Sequence, residues 1–216
     1  MDIIKAIASE LNVRNGQVEA AVKLIDEGCT IPFISRYRKE ATGALNDEQL
    51  RNLDERLKYL RNLEDKKAQV IESIEEQGLL TDELKAQIEK AGTMVAVEDL
   101  YRPYRPKRRT RATIAKEKGL EPLANVIMLQ MTKEPLVKAA EAYVSGDKGV
   151  NTPEEAIAGA MDIIAESISD NADYRTRIRE ITFKEGILSS TAKDADAKTV
   201  YEMYYNFTEP VAKMAG

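Results

Sequence analysis

The chain has 216 residues, with 32 Lys and Arg against 37 Asp and Glu, a net charge of −5 and a hydrophobic fraction of 43%. It has no His, no Trp and one Cys, Cys29, so zinc sites of Cys and His, Ser-His-Asp and Cys-His catalysis, imidazole proton shuttles and an internal disulfide are all excluded. Apolar runs stop at four residues (Met94–Val97 and Val126–Leu129) where a membrane span needs about 20, and Met1-Asp2-Ile3-Ile4-Lys5 lacks the pattern of a signal peptide; the expectation is a soluble cytoplasmic chain with no membrane partner.

Helical periodicity runs through almost all of it. Ile3, Ile4, Ile7, Ala8 and Leu11 form one apolar stripe, and Asn15 stands where it can cap a second helix with Val18, Ala21, Val22 and Ile25 on its inner face. Gly28 is placed to end that helix, so residues 1–28 read as a helical hairpin. The stretch Ile31–Lys39 follows, and its apolar half is expected to pack under the hairpin while Arg36, Arg38 and Lys39 face outward or pair with Glu40. Cys29 reads as a small core residue.

Asn46 and Gln49 resemble a capping box, and Leu50, Leu53, Leu57, Leu60, Leu63, Val70, Ile71 and Ile74 then predict a helix of about 30 residues ending before Gly78. A strict heptad would put Glu64 and Lys67 on its apolar seam, which points to packing against several short helices rather than a coiled coil. The next helix runs from a Thr81 cap to about Ala91. Beyond the segment at 100–113, helical patterns resume near 113–118, 121–131 and 134–145. Thr152-Pro153-Glu154-Glu155 opens a helix to about Ser169, and another fits 172–185. Only Ile187–Thr191 reads as a short strand; a turn at Tyr201–Asn206 precedes Pro210. The fold class is all-α. Its organisation is a small helical hairpin part at 1–45, a long helix and partner at 46–92, a basic loop segment at 93–119 and a helical part at 120–216.

Charge is unevenly placed. Tyr101–Lys118 holds eight basic residues against Glu117 alone, a net +7, which leaves −12 on the other 198 residues. Pro103 and Pro106 keep the stretch out of an ordinary helix, so its cations are expected on an extended, stiffened loop. One reading is a phosphate contact through Arg102, Arg105, Lys107, Arg108, Arg109 and Arg111, with Tyr104 or Tyr101 stacking on an unpaired base. The other is that these arginines pair with the chain's own acidic helices, such as the one carrying Glu72, Glu75 and Glu76. Both stand on the sequence.

Other signals are weaker. The opening hairpin is a poor major-groove reader because Glu19, Asp26 and Glu27 share its exposed face with the basic residues. Asp194 and Asp196 lack the spaced ligands of a calcium loop and read as a solvated helix start. No metal site, cofactor site or catalytic constellation is expected, and a carboxylate-only metal nuclease has no spaced acidic motif to support it.

The stretches IPFISRYRKEATGALNDEQL (31–50), EDLYRPYRPKRRTRATIAKEKGLEPLA (98–124) and YYNFTEPVAKMAG (204–216) resemble the N-terminal region of the Tex family of bacterial RNA-binding transcription accessory proteins. That resemblance implies a multi-helix fold with one long helix and a helix-turn-helix-like part. It further implies downstream RNase H-like, helix-hairpin-helix and OB-fold domains, the last being the principal nucleic-acid binder, none of which fits within 216 residues. The chain then looks like a fragment, related through its family to a eukaryotic elongation factor. The expected function is a non-enzymatic module of a transcription accessory protein, a scaffold with an auxiliary RNA or DNA backbone contact through the basic loop. Its expected partners are nucleic acid, the downstream Tex domains and the transcription machinery. The alternative is a purely architectural or protein-interaction module whose basic loop packs internally or docks the missing domains.

Overall fold

A computed structural model describes residues 2–106, 108–131 and 133–214, and among them eleven α-helices and one two-stranded sheet. They fall into two compact units, one up to Glu98 and one from Asp99 onward.

The first unit is built on a leucine ladder. Helix α4 (Asp47–Glu76) buries Leu50, Leu53, Leu57, Leu60, Leu63, Val70 and Ile74 on one face. Against this face pack α1 (Ile3–Leu11), α2 (Asn15–Asp26), α3 (Ile31–Tyr37) and α5 (Asp82–Lys90). The start of α4 is fixed by the expected capping box: Gln49 N–H donates to Asn46 Oδ1 at 2.8 Å, and Asn46 N–H to Gln49 Oε1 at 3.0 Å. Two orphan amides are satisfied reciprocally. Thr81 caps α5 through Leu84 N–H at 3.2 Å. Lys67 is also buried on this face, and its ammonium donates to Glu64 Oε1 at 2.8 Å and to the Glu89 carbonyl at 2.9 Å.

Two expectations shift here. Asn15 does not cap α2 but is its first residue; Arg14 holds the cap position, and Gln17 Oε1 accepts from the Arg14 N–H at 3.1 Å. Gln17 takes over because its amide is also anchored on the Gly43 carbonyl at 2.8 Å. Cys29 is half-buried rather than a core residue. Gly28 has φ +86°, the left-handed conformation expected at the end of α2.

Helix α6 (Met94–Tyr101) leads from the first unit into the second. The second unit is organised around α10 (Pro153–Asp170), on which α7 (Arg111–Glu117), α8 (Glu121–Leu129) and α9 (Leu136–Glu141) pack. Thr152 Oγ1 accepts from Glu155 N–H at 3.2 Å with Pro153 in the first turn, as the sequence predicts. The α10 face is made of small residues, Ala156, Gly159 and Ala160, which lets α7 and Leu120 come close. A Cβ on Gly159 would lie 2.4 Å from Leu120 Cδ1 and 3.3 Å from Ala115 Cβ.

Helix α11 (Ala172–Glu185) starts at an Asn171 cap and ends at Gly186. Strand β1 (Ile187–Thr191), anticipated from the sequence, pairs antiparallel with a strand that was not, β2 (Asn206–Pro210), in the register Ile187↔Pro210 to Thr191↔Asn206. Pro210 terminates β2 at its end, where a missing N–H breaks no internal rung. The fold is therefore mostly α, with one hairpin added. Asp194 and Asp196 lie in the connection between the strands and do not start a helix; Asp196 N–H donates to Asp194 Oδ1 at 3.0 Å in a local turn.

Candidate nucleic-acid interface

The basic segment is not one extended loop. After α6, the N–H groups of Tyr104 and Arg105 both return to the Tyr101 carbonyl, at 2.9 and 3.0 Å, forming a tight turn through Arg102 and Pro103. Further along, Thr110 Oγ1 accepts from Thr113 N–H at 3.0 Å, so Arg111 is the first residue of α7. The prolines act as expected on local conformation, while the threonine cap restarts the helix sooner than a loop running to 113 would.

The predicted contact residues separate into groups. Arg102 Nε donates to Asp170 Oδ1 at 2.8 Å, and that carboxylate side chain is only 10% exposed. Arg109 Nη2 meets Glu117 Oε2 at 2.7 Å with both side chains mostly in solvent. Arg111 Nε lies 3.5 Å from Asp162 Oδ1 and its side chain is 86% exposed. Arg108 is exposed and makes no ion pair among the described residues. Arg105 is exposed and Tyr104 half-buried; Lys107 lies outside the described residues. The acidic partners of Arg102, Arg109 and Arg111 belong to α10 and α7.

Exposed ion pairs contribute about 0–1 kcal/mol, so Glu117 and Asp162 hold Arg109 and Arg111 only loosely. A phosphate supplies more acceptor oxygens to the same guanidinium fork. Arg102 is different, because releasing it would leave the Asp170 carboxylate poorly solvated.

Beside the segment lies a cluster that the sequence did not single out. Asp99, at the end of α6, is 3% exposed. Its Oδ1 accepts from Arg175 Nε and its Oδ2 from Arg179 Nη2, each at 2.6 Å. Burial alone would raise the Asp99 carboxyl pKa, but the hydrogen bonds and charge of Arg175 and Arg179 outweigh it and hold the group below the ordinary carboxylate range. The partners are 76 and 80 residues away in sequence, so no local spacing pointed to them. With Arg102–Asp170 this cluster fixes the base from which the basic segment leaves. Among the described residues no group of three or more Asp, Glu, Cys or His gathers as a metal site, and no helix is long and apolar enough to cross a membrane.

Residues 1–75 match the Tex-like protein N-terminal domain, and residues 130–216 match the Tex central region-like family. The chain is 42% identical over 217 residues to the transcriptional accessory protein Tex of Neisseria gonorrhoeae, covering 99% of this chain and 28% of that protein. This chain belongs to the Tex family. An uncharacterised Bacillus subtilis protein, YdcI, is 48% identical over 211 residues, 96% of this chain and 29% of its own length. The human S1 RNA-binding domain-containing protein 1 is 27% identical over 201 residues, 91% of this chain and 20% of its own. The chain thus spans under a third of the length of these relatives. Its basic segment falls between the two family-matched spans.

Proposed function

We propose that this Tex-family region is a non-enzymatic helical scaffold that adds an auxiliary nucleic-acid backbone contact to a transcription accessory protein. The observation that carries the contact is the run Arg108, Arg109 and Arg111 at the start of α7, three exposed guanidiniums held by at most weak surface pairs. Arg102 belongs to the scaffold through Asp170. In this reading Arg105 and Lys107 contribute their charge to the contact, and Tyr104 offers a ring for stacking on an unpaired base. A backbone contact of this kind reads charge and does not choose between RNA and DNA. The names of the relatives support the wider role: one is a transcriptional accessory protein and another carries an S1 RNA-binding domain. Nucleic acid, the domains that follow in the longer relatives and the transcription machinery are the proposed partners, in the cytoplasm.

The test is fluorescence anisotropy of labelled single-stranded RNA, single-stranded DNA and duplex DNA at two or more salt concentrations. Three phosphate contacts on a single strand give a log–log salt slope of about −2. Reversing Arg108, Arg109 and Arg111 to Glu takes the net charge from −5 to −11, and affinity should fall with a flattened slope. Unchanged affinity in a folded triple variant would remove the segment from the interface. The architectural reading draws on a separate observation, the Arg102–Asp170 and Asp99–Arg175–Arg179 pairs, and complete absence of binding at low salt would favour it.

A further inference from the structure

Among the described residues of the first unit, the two exposed aromatic rings stand side by side. Phe33 is 39% exposed and Tyr37 67%. They are one helical turn apart on α3, with ring centroids 5.3 Å apart and planes inclined by 44°. Ile34, fully buried, anchors the opposite face of this short helix. The third aromatic residue of the unit, Tyr59, is already used: Arg56 stacks on its ring at 4.8 Å, and its hydroxyl accepts from the Met94 N–H at 3.2 Å.

Three cations surround the exposed pair. Arg38 places its guanidinium carbon 5.4 Å above the Phe33 ring, which covers one face of Phe33 and leaves Tyr37 the more open ring. Arg36, Arg38 and Lys39 are all exposed, and none makes an ion pair among the described residues, not even with adjacent Glu40. The backbone beneath them is held. Thr42, completely buried, donates its hydroxyl to the Arg38 carbonyl at 3.2 Å, and Ala44 N–H donates to the Lys39 carbonyl at 2.7 Å. Gln17 ties the next turn down through the Gly43 carbonyl. Binding therefore need not order the backbone of this patch, which leaves the side chains as the part that is immobilised.

We propose that Phe33 and Tyr37, flanked by Arg36, Arg38 and Lys39, form a stacking site for single-stranded nucleic acid. An open ring takes the face of an unpaired base, and adjacent cations take its phosphates; a duplex keeps its bases stacked inside and cannot use the ring. The charge is complementary to a polyanion: three cations without an ion pair among the described residues stand within four residues of a chain that is acidic overall. The proposal shares its ligand class with the basic segment but stands on different residues in a different unit.

The experiment separates the two. The whole chain is irradiated with single-stranded RNA carrying 4-thiouridine, and a bromodeoxyuridine single-stranded DNA serves as a second arm; the adducts are mapped by mass spectrometry. An adduct at Tyr37 or Phe33 is expected, and it should persist when Arg108, Arg109 and Arg111 are reversed. In anisotropy on that triple-reversal background, Phe33→Ala with Tyr37→Ala should weaken single-strand binding by about tenfold, whereas Tyr37→Phe should retain it. Duplex DNA should show no such loss. Unchanged affinity for the folded double-alanine variant, or adducts confined to the 101–111 segment, would overturn the α3 site while leaving the basic segment intact. Equal binding of an acidic polyglutamate probe that is insensitive to the aromatic substitutions would reassign the cations to an acidic protein partner and also overturn it.

Discussion

Asp99 is the side chain on which the second unit's charge arrangement turns. A carboxylate removed from water is tolerated because two guanidiniums meet both its oxygens, and each arginine keeps a third or more of its side chain in solvent, 34% for Arg175 and 47% for Arg179. Asp99→Ala leaves those arginines free to hydrate, so its cost should sit near the lower end for breaking a buried pair, about 3 kcal/mol, read as a lower urea midpoint at pH 7. The pH dependence follows from the direction of the shift. Because the folded-state pKa is depressed, the stabilisation is complete above the unfolded value of about 3.9 and disappears as pH falls through the folded value. Asp99→Asn should therefore differ most from the natural chain at neutral pH, and the gap should narrow below about pH 4. A gap that is constant with pH would mean that shape, not charge, accounts for the loss.

At the scale of elements, the contact between α7 and α10 depends on the absence of a side chain at position 159. Gly159→Ala gains up to about 1 kcal/mol of helix propensity. Against that gain, the new methyl meets Leu120 Cδ1 at 2.4 Å in a buried layer, and such overpacking costs about 1–3 kcal/mol. A net loss of about 1 kcal/mol in thermal or urea unfolding is expected, and it should shrink when Leu120→Ala makes room. The same elements show what the sequence made legible. The leucine ladder of α4, the Asn46–Gln49 box, the Thr81 cap and the Thr152-Pro153 start are encoded within a few residues each, and they form as expected. β2 was not legible, because five residues ending in Pro210 acquire meaning only from the register with β1. Neither was the division of the basic segment. Which arginine is tied down depends on Asp170, 68 residues from Arg102, and the spacing of cations carries no trace of it. Phe33 and Tyr37 were visible as residues, but their exposure depends on which face Ile34 buries.

Taken as a whole molecule, the chain is an anion with no histidine, and this sets how its interactions respond to pH. No side chain with an ordinary pKa near 6.5 is present to change charge between about pH 5.5 and 7. Among the described residues, the clear shifts imposed by the fold move away from that window: Asp2, Asp26, Glu64 and Asp99 go down, and Arg56 and Arg61 go up. Arginine, lysine and phosphodiester groups, which make up the two sides of the proposed contacts, have ordinary pKa values far outside that window. Binding to single-stranded RNA should thus change by less than about twofold between pH 5.5 and 7 at fixed ionic strength, while the same titration loses affinity steeply with salt. Anisotropy across that pH range, in buffers matched for ionic strength, makes the comparison directly. A several-fold pH effect would show that a carboxylate with a raised pKa shares the interface, because weak acids are then the groups able to respond. A flat pH profile with a steep salt profile is the signature of contacts made by arginine and lysine, the cations that an acidic, histidine-free chain has available for holding a polyanion.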